Sequence, residues 1–416
     1  MSKIVITGGT QLKGTITVSG AKNAILPIIA ASLLTGEPVI LEEAPDLLDV
    51  HVMGRVIESL GAKIECDGSQ MRICADEINN IEAPHELVSQ MRASTYIMGA
   101  VLARKGRVRI SHPGGCTIGS RPINLHLKGF EALGAEVRMD HGYLDVMTKG
   151  LRGASIYLDF PSVGATENIM MAASMARGTT IIQNAAQEPE IVDLANFLNE
   201  MGGKVRGAGT SIIHIEGVRK MHGTSHSIIP DRIEAGSFML MAAAAGGDVL
   251  VRNVITAHLK SAMAKMEEAG INFIEEEEGI RIKGDGIYQA VDLKTQVHPG
   301  FPTDLQAPFL AFLCKARGSA VLTETVFENR FMHVDELKRM GAEIKIEGRS
   351  ALIRGVRRLT GAPVKATDLR AGAALILAAI TAEGITEITE IHHIDRGYER
   401  IVEKLSNIGV KIARVE

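Results

Sequence analysis

The 416-residue chain contains no tryptophan and only four cysteines. Cys66, Cys74, Cys116 and Cys314 form no C-x-x-C pair and show no zinc-type spacing, which argues against a disulfide framework and a structural zinc site. Cys66 and Cys74 fall in short strand-like runs (KIEC, MRIC) and Cys314 in the apolar FLAFLCKARG, so these three read as small core residues. Neither sign of charge dominates: 45 basic residues face 49 acidic ones. That balance gives no general attraction to nucleic acid or to an anionic membrane, and an anionic ligand must be held by a local arrangement. Long apolar runs are missing too. FMLMAAAAGG and AGAALILAAITAEG fall short of the roughly 20 residues that cross a bilayer, and MSKIVITGGTQLKG lacks a secretory pattern, so a cytosolic protein is expected. There is no Walker P-loop, since GTQLKGT has no lysine after its last glycine, and no G-x-G-x-x-G. Nucleotide hydrolysis and dinucleotide redox chemistry lose support. Adjacent His392 and His393 would point to opposite faces of a strand, a poor arrangement for one metal ion, and the run EEEE at 275–278 reads as a solvated turn.

What the chain does have is a recurring phrase: an amphipathic run, a glycine, then an alternating strand. It appears as VIESLGAKIEC, GFEALGAEVRM, FLNEMGGKVRG, KMEEAGINFIE, ELKRMGAEIKI and KLSNIGVKIAR, with Gly61, Gly134, Gly202, Gly270, Gly341 and Gly409 spaced by about 70 residues. Met53, Val56, Ile57 and Leu60 follow helical spacing before Gly61, while Ile344 and Ile346 alternate with charged residues as a half-buried strand would. Each phrase is preceded by a helix of alanine, methionine and leucine with almost no polar face, such as NIMMAASMARG or AALILAAITAEG. Such helices belong inside, with sheets packed outside them. Six units in 416 residues predict two α/β domains of three units each: residues 20–228, and residues 1–19 joined to 229–416. The first strand then belongs with the carboxy-terminal half.

Candidate chemistry lies in polar loops beside helix starts. PGGCTIGSRP, residues 113–122, sets Cys116 among three glycines near Arg121, on backbone that can approach a ligand closely. SGAKNA, residues 19–24, opens an apolar helix, so Lys22 and nearby amides suit an anion; an ordinary glycine turn with a solvated lysine has the same sequence. HPGFPTDLQAP delivers Thr303 and Asp304 to another helix start, where either a helix cap or a general base fits. SQMRAS and HIDRGYER add Arg92 and Arg396.

Together AKN, MRAS, PGGCTIGSRPINLHL, PSVGATENIM, QEPEIVD, PDRIEAG, FPTDLQAP, ETVFENRFMHVDEL, DLRAGA and HIDRGYER, in this order over the whole chain, closely resemble the UDP-N-acetylglucosamine 1-carboxyvinyltransferase (MurA) family of enolpyruvyl transferases. The resemblance implies two inside-out α/β domains, each of three βαβαββ repeats, with the active site in the cleft between them. It implies transfer of the enolpyruvyl group of phosphoenolpyruvate to the 3′-hydroxyl of UDP-N-acetylglucosamine, with release of phosphate and without a metal or organic cofactor. By resemblance, Cys116 supplies or supports a proton at C3 and can add to C2; Lys22, Asn23, Arg121 and Arg396 hold phosphoenolpyruvate; and Asp304 accepts the hydroxyl proton. Asn23, Arg92, Arg121, Pro122, Ile123, Asn124, Leu125, Ser162, Val163, Thr303, Asp304 and the backbone of Val326 are implied contacts of the UDP-sugar, with Glu188 and Arg370 as further candidates. Phe160 departs from the pattern, because some family members carry lysine there. Two alternatives fit less of the sequence: an enolpyruvyl transferase acting on shikimate 3-phosphate, whose family lacks the loop cysteine, and a catalytically silent UDP-sugar-binding regulator.

Overall fold

Alternation and glycine punctuation translate directly into strands and their ends. The computed structural model describes residues 2–111, 119 and 122–416; Cys116 and Arg121 lie outside the described residues. The six marking glycines all have positive φ, between 89° and 114°, so each ends its helix in a conformation that a side chain would strain.

Chain contacts divide between Ser19 and Gly20 and again between Ile229 and Pro230. Within the first unit, residues 20–111 and 122–229, three sheets surround three apolar helices, Lys22–Ala31, Ile97–Lys105 and Val163–Ala173, which pack on one another. One sheet runs Ser225–Ser227, Val39–Glu42, Gln70–Cys74, Lys63–Asp67; a second runs Arg107–Ser111, Tyr143–Met147, Glu136–Asp140; the third runs Ser155–Tyr157, Thr179–Gln183, Ile212–Glu216, Val205–Arg206. The complete pattern is one parallel edge followed by two antiparallel pairings, as where Ile181 lies opposite Ser155 in parallel and His214 in antiparallel register. In the second sheet a single parallel bridge, Glu82 to Arg109, takes the place of the edge strand.

The other unit, residues 2–19 and 230–416, repeats the plan around helices Arg232–Ala245, Gln306–Leu313 and Leu369–Thr381. Its sheets run Leu12–Thr17, Gly247–Arg252, Gly279–Gly284, Phe273–Glu276; then Leu293–Lys294, Ser319–Thr323, Ser350–Arg354, Glu343–Glu347; then Pro363–Lys365, Ile385–Thr389, Lys3–Thr7, Lys411–Val415. Lys3–Thr7 completes the last sheet, with Ile4 opposite both Ile388 and Arg414. Leu12–Thr17 and Ser225–Ser227 are exchanged edges: each pairs in the unit that holds the strand it flanks, not next to the helix it precedes. Each unit is thereby closed by a strand from a distant part of the sequence.

Burial follows the composition of the helices. Every residue of Gln306–Leu313 is buried, as is every residue from Arg370 to Thr381, and each fully covered isoleucine or leucine contributes about 1.5–3 kcal/mol. The amphipathic helix Leu48–Ser59 turns Met53, Val56 and Ile57 inward, each with no exposed surface, and Leu60 just beyond it is equally covered. Three expectations need correction. Ile344 is buried but Ile346 is 39% exposed, because the strand Glu343–Glu347 is a sheet edge and Ile346 lies near its hairpin tip. Cys66, also on an edge strand, is exposed and Cys74 only partly covered, so of these thiols Cys314 alone is a core residue. His392 and His393 lie in a short helix, not a strand, with ring centroids 4.1 Å apart. No helix among the described residues is long and apolar enough to cross a membrane.

Candidate active site

Lys22 is the first residue of its inner helix, whose preceding Ala21 offers no capping side chain. Lys22 is not solvated: it is 8% exposed, and its Nζ lies 2.7 Å from Oδ2 of Asp49, itself 2% exposed. Asp49 occupies the first turn of Leu48–Ser59, where the helix dipole favours a carboxylate. Asn23 follows on the same turn, half-buried. Arg92 opens the short 3-10 helix Arg92–Tyr96. Burial, with the charge of Arg92 adding to it, pushes His126 down to about 4, so its ring is neutral. The amide of Asn168 donates to His126 Nδ1 at 2.9 Å and to the carbonyl of Thr95 at 3.2 Å, while its oxygen accepts from Gly99 N–H at 2.8 Å. A Cβ on Gly99 would lie 2.3 Å from the Asn168 backbone oxygen, which explains the glycine. This buried amide ties the helix starting at Asn124 to the segment carrying Arg92.

Around that hub, Ser162 caps Val163–Ala173 by accepting from Ala165 N–H at 3.4 Å. Pro122 and Asn124 are exposed, Leu125 and Val163 half-buried, and Ile123 buried. Phe160 is 46% exposed, two residues before the cap. Glu188 stands just before helix Pro189–Glu200 but does not cap it. Glu167 is fully covered, and burial, with the nearby Glu190 and Glu188 charges adding and Tyr96 opposing, holds its carboxyl well above the usual range.

In the other unit, Asp304 belongs to the 3-10 turn Thr303–Leu305 that leads into Gln306–Leu313, and neither start has a side-chain cap. The helix-cap reading of Thr303 and Asp304 is therefore set aside. The Asp304 carboxylate is instead gripped at both oxygens: Arg330 Nη2 donates to Oδ1 at 2.7 Å and Arg370 Nη2 to Oδ2 at 2.9 Å. Both arginines are buried. Burial alone works against the Arg370 charge, but Asp304, Tyr398 and Asp231 hold its pKa above the ordinary value. Arg330 also donates to Thr303 Oγ1 at 2.9 Å, and Thr303 donates in turn to Glu324 Oε2 at 2.8 Å. Glu324, with no exposed surface, accepts at Oε1 from Thr295 Oγ1 at 2.8 Å, Val326 N–H at 2.7 Å and Phe327 N–H at 3.1 Å. Arg396 ends the short helix His392–Asp395 and is half-buried.

The family model described as EPSP synthase (3-phosphoshikimate 1-carboxyvinyltransferase) matches residues 6–405. The chain belongs to that family. Within it, UDP-N-acetylglucosamine 1-carboxyvinyltransferase 1 of Caldanaerobacter subterraneus subsp. tengcongensis is 59% identical over 413 residues, covering 99% of both chains. UDP-N-acetylglucosamine 1-carboxyvinyltransferase 2 of Carboxydothermus hydrogenoformans is 58% identical over 417 residues and all of both chains. Among solved structures, the enolpyruvyl transferase NikO from Streptomyces tendae matches with a TM-score of 0.91 at 23% identity over 100% of this chain and 99% of its own. EPSP synthase from Acinetobacter baumannii matches with 0.77 at 18% identity over the full length of both. These last two bear on the fold, which is that of the enolpyruvyl transferases; the protein is an enzyme of the transferase class.

Of the residues singled out in this enolpyruvyl transferase, the structure brings Thr303, Asp304, Arg370 and the backbone of Val326 into one network, and Arg92 with the Asn124 helix around another. Lys22 and Asn23 belong to the first unit, and Asp304 and Arg396 to the second. Sequence reasoning missed Asp49, Asn168, Glu324 and Arg330. The signal for Arg330 and Glu324 was present in ETVFENRF, where both flank Val326 in the loop after strand Ser319–Thr323, but a charged residue's pairing partner has no sequence mark.

Proposed function

We propose that this enolpyruvyl transferase moves the carboxyvinyl group of phosphoenolpyruvate to the 3′-hydroxyl of UDP-N-acetylglucosamine, the first committed step of peptidoglycan synthesis. Full-length identity of 58–59% to relatives named for that acceptor carries the reading. In the proposed reaction a proton reaches C3 of phosphoenolpyruvate, supplied or supported by Cys116, and C2 becomes electrophilic. The sugar oxygen attacks C2 as Asp304 takes its proton. Loss of a proton from C3 and departure of phosphate then restore the double bond, so the net change is an O–H exchanged for an enol ether and phosphate released. Lys22, Arg121 and Arg396 are assigned to the anionic groups of phosphoenolpyruvate, where fixed cations stabilise the charge moving onto phosphate. Arg92, Pro122, Ile123, Asn124, Leu125, Ser162 and Val163 are assigned to the UDP-sugar along with Asn23, Thr303 and Val326.

The physical support from the described residues is the pairing of charges. Lys22 Nζ lies 2.7 Å from the buried Asp49 carboxylate, and Asp304 lies within 2.7–2.9 Å of two guanidinium groups, so each proposed charge has an opposite charge beside it. Phosphate release from phosphoenolpyruvate, followed with UDP-N-acetylglucosamine and separately with shikimate 3-phosphate, tests the reading. Release with the UDP-sugar that disappears in Cys116→Ala is expected. Release only with shikimate 3-phosphate, or with neither acceptor, would overturn it.

A further inference from the structure

Resting on the UDP-sugar reading, we propose that Glu324 is a positioning residue that fixes the hydrogen-bond polarity of the acceptor half-site, leaving it able to recognise only hydrogen-bond donors such as sugar hydroxyls and an amide N–H. Two hydrogen-bonding groups of this half-site have their donors committed to its carboxylate. The Thr303 hydroxyl proton points at Oε2, and the Val326 N–H points at Oε1. A hydroxyl has one donor and two acceptor lone pairs, and Thr303 also receives Arg330 Nη1, so one lone pair remains. Val326 keeps its carbonyl, on which no donor is seen among the described residues. Asp304, acceptor-only when ionised, completes the set. The half-site thus presents a hydroxyl lone pair, a carbonyl and a carboxylate, with the donors of Thr303 and Val326 turned away.

The burial of Glu324 makes this polarity one-directional. Its carboxylate accepts four donors, two of them backbone N–H groups and one from Thr295, so every group around it is a donor. A glutamine in its place would have to turn its amide oxygen toward the three donors at Oε1, because an NH2 group there would face two backbone N–H groups. The NH2 would then take the Oε2 position and donate to Thr303. With both lone pairs of Thr303 occupied, by that NH2 and by Arg330, the hydroxyl proton is released outward. Glu324→Gln therefore converts Thr303 from acceptor to donor toward the ligand without changing side-chain shape.

The test is steady-state kinetics on the full chain with Glu324→Gln, Thr303→Val and the double variant, each checked for folding by thermal melting. We expect Glu324→Gln to raise KM for UDP-N-acetylglucosamine about tenfold while KM for phosphoenolpyruvate stays within about twofold, the scale of one hydrogen bond. Thr303→Val should produce a similar rise, and in its background Glu324→Gln should add less than about twofold, since the hydroxyl it acts through is gone. An equal Glu324→Gln effect in both backgrounds, or an unchanged acceptor KM in Thr303→Val, overturns the proposal; the second readout holds even where Glu324→Gln does not fold. Absence of turnover with the UDP-sugar in the unmodified protein is a different result, and it is the one that removes the function reading itself.

Discussion

Each unit pairs one residue of the proposed site with opposite charge, but the two pairings run in opposite directions. In the first unit an ammonium, Lys22, lies against a buried carboxylate, Asp49. In the second a half-buried carboxylate, Asp304, is matched by two buried guanidinium groups, Arg330 and Arg370. A lysine is a compact charge with rotatable donors, so a carboxylate beside it does not fix its direction, and an arriving anion can share it. Two planar guanidiniums on separate oxygens fix the plane of a carboxylate, which suits the base role proposed for Asp304. The contrast is between a charge held available and a charge held oriented.

The largest effect is expected from breaking the oriented side. Asp304→Asn keeps the shape but leaves two buried arginines facing a neutral amide. Turnover should fall by about 10²- to 10⁴-fold through loss of the base, and the fold should lose stability because two buried guanidinium groups lose a carboxylate. Phosphate release and thermal melting read both, and a stable variant with normal turnover would show that Asp304 neither takes the proton nor balances the arginines.

Asp49→Asn probes the available side and should separate stability from binding. Asp49→Asn removes the carboxylate 2.7 Å from the buried Lys22 ammonium, so the unliganded protein should lose stability. A dianion arriving at Lys22 relieves that cost, so phosphoenolpyruvate should raise the melting temperature more in the variant than in the unmodified protein. Equal ligand-induced shifts would mean that Lys22 does not meet the ligand.

How much of this contrast was legible beforehand depends on range. The six glycine marks and the polarity-free helices reveal the repeats and the inside-out layering, because helix ends and burial are local properties of sequence. Lys22 and Asp304 stand out beside helix starts for the same reason, whereas Arg370 is reached only through the family resemblance. Asp49, Arg330 and Glu324 do not, since each looks like a routine charge on a helix or after a strand until the fold brings its partner from 20 to 30 residues away. The misjudged side chains, Ile346 and Cys66, share another cause: alternation shows which face of a strand is apolar, but not that the strand lies at an edge.

A smaller effect tests whether the units share one acid weakness despite their different charge pairs. Each buries a neutral histidine: His126 in the first is pushed down to about 4 by burial with Arg92 adding, and His333 in the second to about 4 by burial, with Asp368 opposing and Arg330 adding. A folded-state value below the ordinary 6.5 means that the unfolded chain takes up protons first. The stability tied to each ring is complete above about pH 6.5 and is lost as pH falls toward 4, about 3 kcal/mol per ring. Melting curves at pH 7 and pH 4.5 should converge in His126→Gln and in His333→Gln relative to the parent protein. Curves that stay parallel to the parent would assign the acid loss to other groups.

The smallest perturbation uses the thiols. Cys66 is exposed in the first unit, yet burial of part of its surface together with the nearby Glu58 and Asp46 charges pushes its pKa up. Cys314 in the second is fully covered and pushed up to about 12 by burial. Neither is a good nucleophile near neutral pH, because thiolate and not thiol reacts. At pH 7 an alkylating reagent should therefore label Cys66 slowly and Cys314 not at all, and Cys66→Ser should leave turnover unchanged. Any fast-labelling thiol then has to be sought elsewhere, and loss of that fast phase in Cys116→Asp would assign it to the glycine-flanked loop. The aspartate variant also divides the two roles proposed for that position, since a carboxylic acid can still protonate C3 but cannot be alkylated as a thiol. Retained turnover together with resistance to an epoxide inhibitor such as fosfomycin would make the proton the essential contribution and the covalent adduct dispensable, whereas turnover lost along with alkylation would make the thiolate itself necessary.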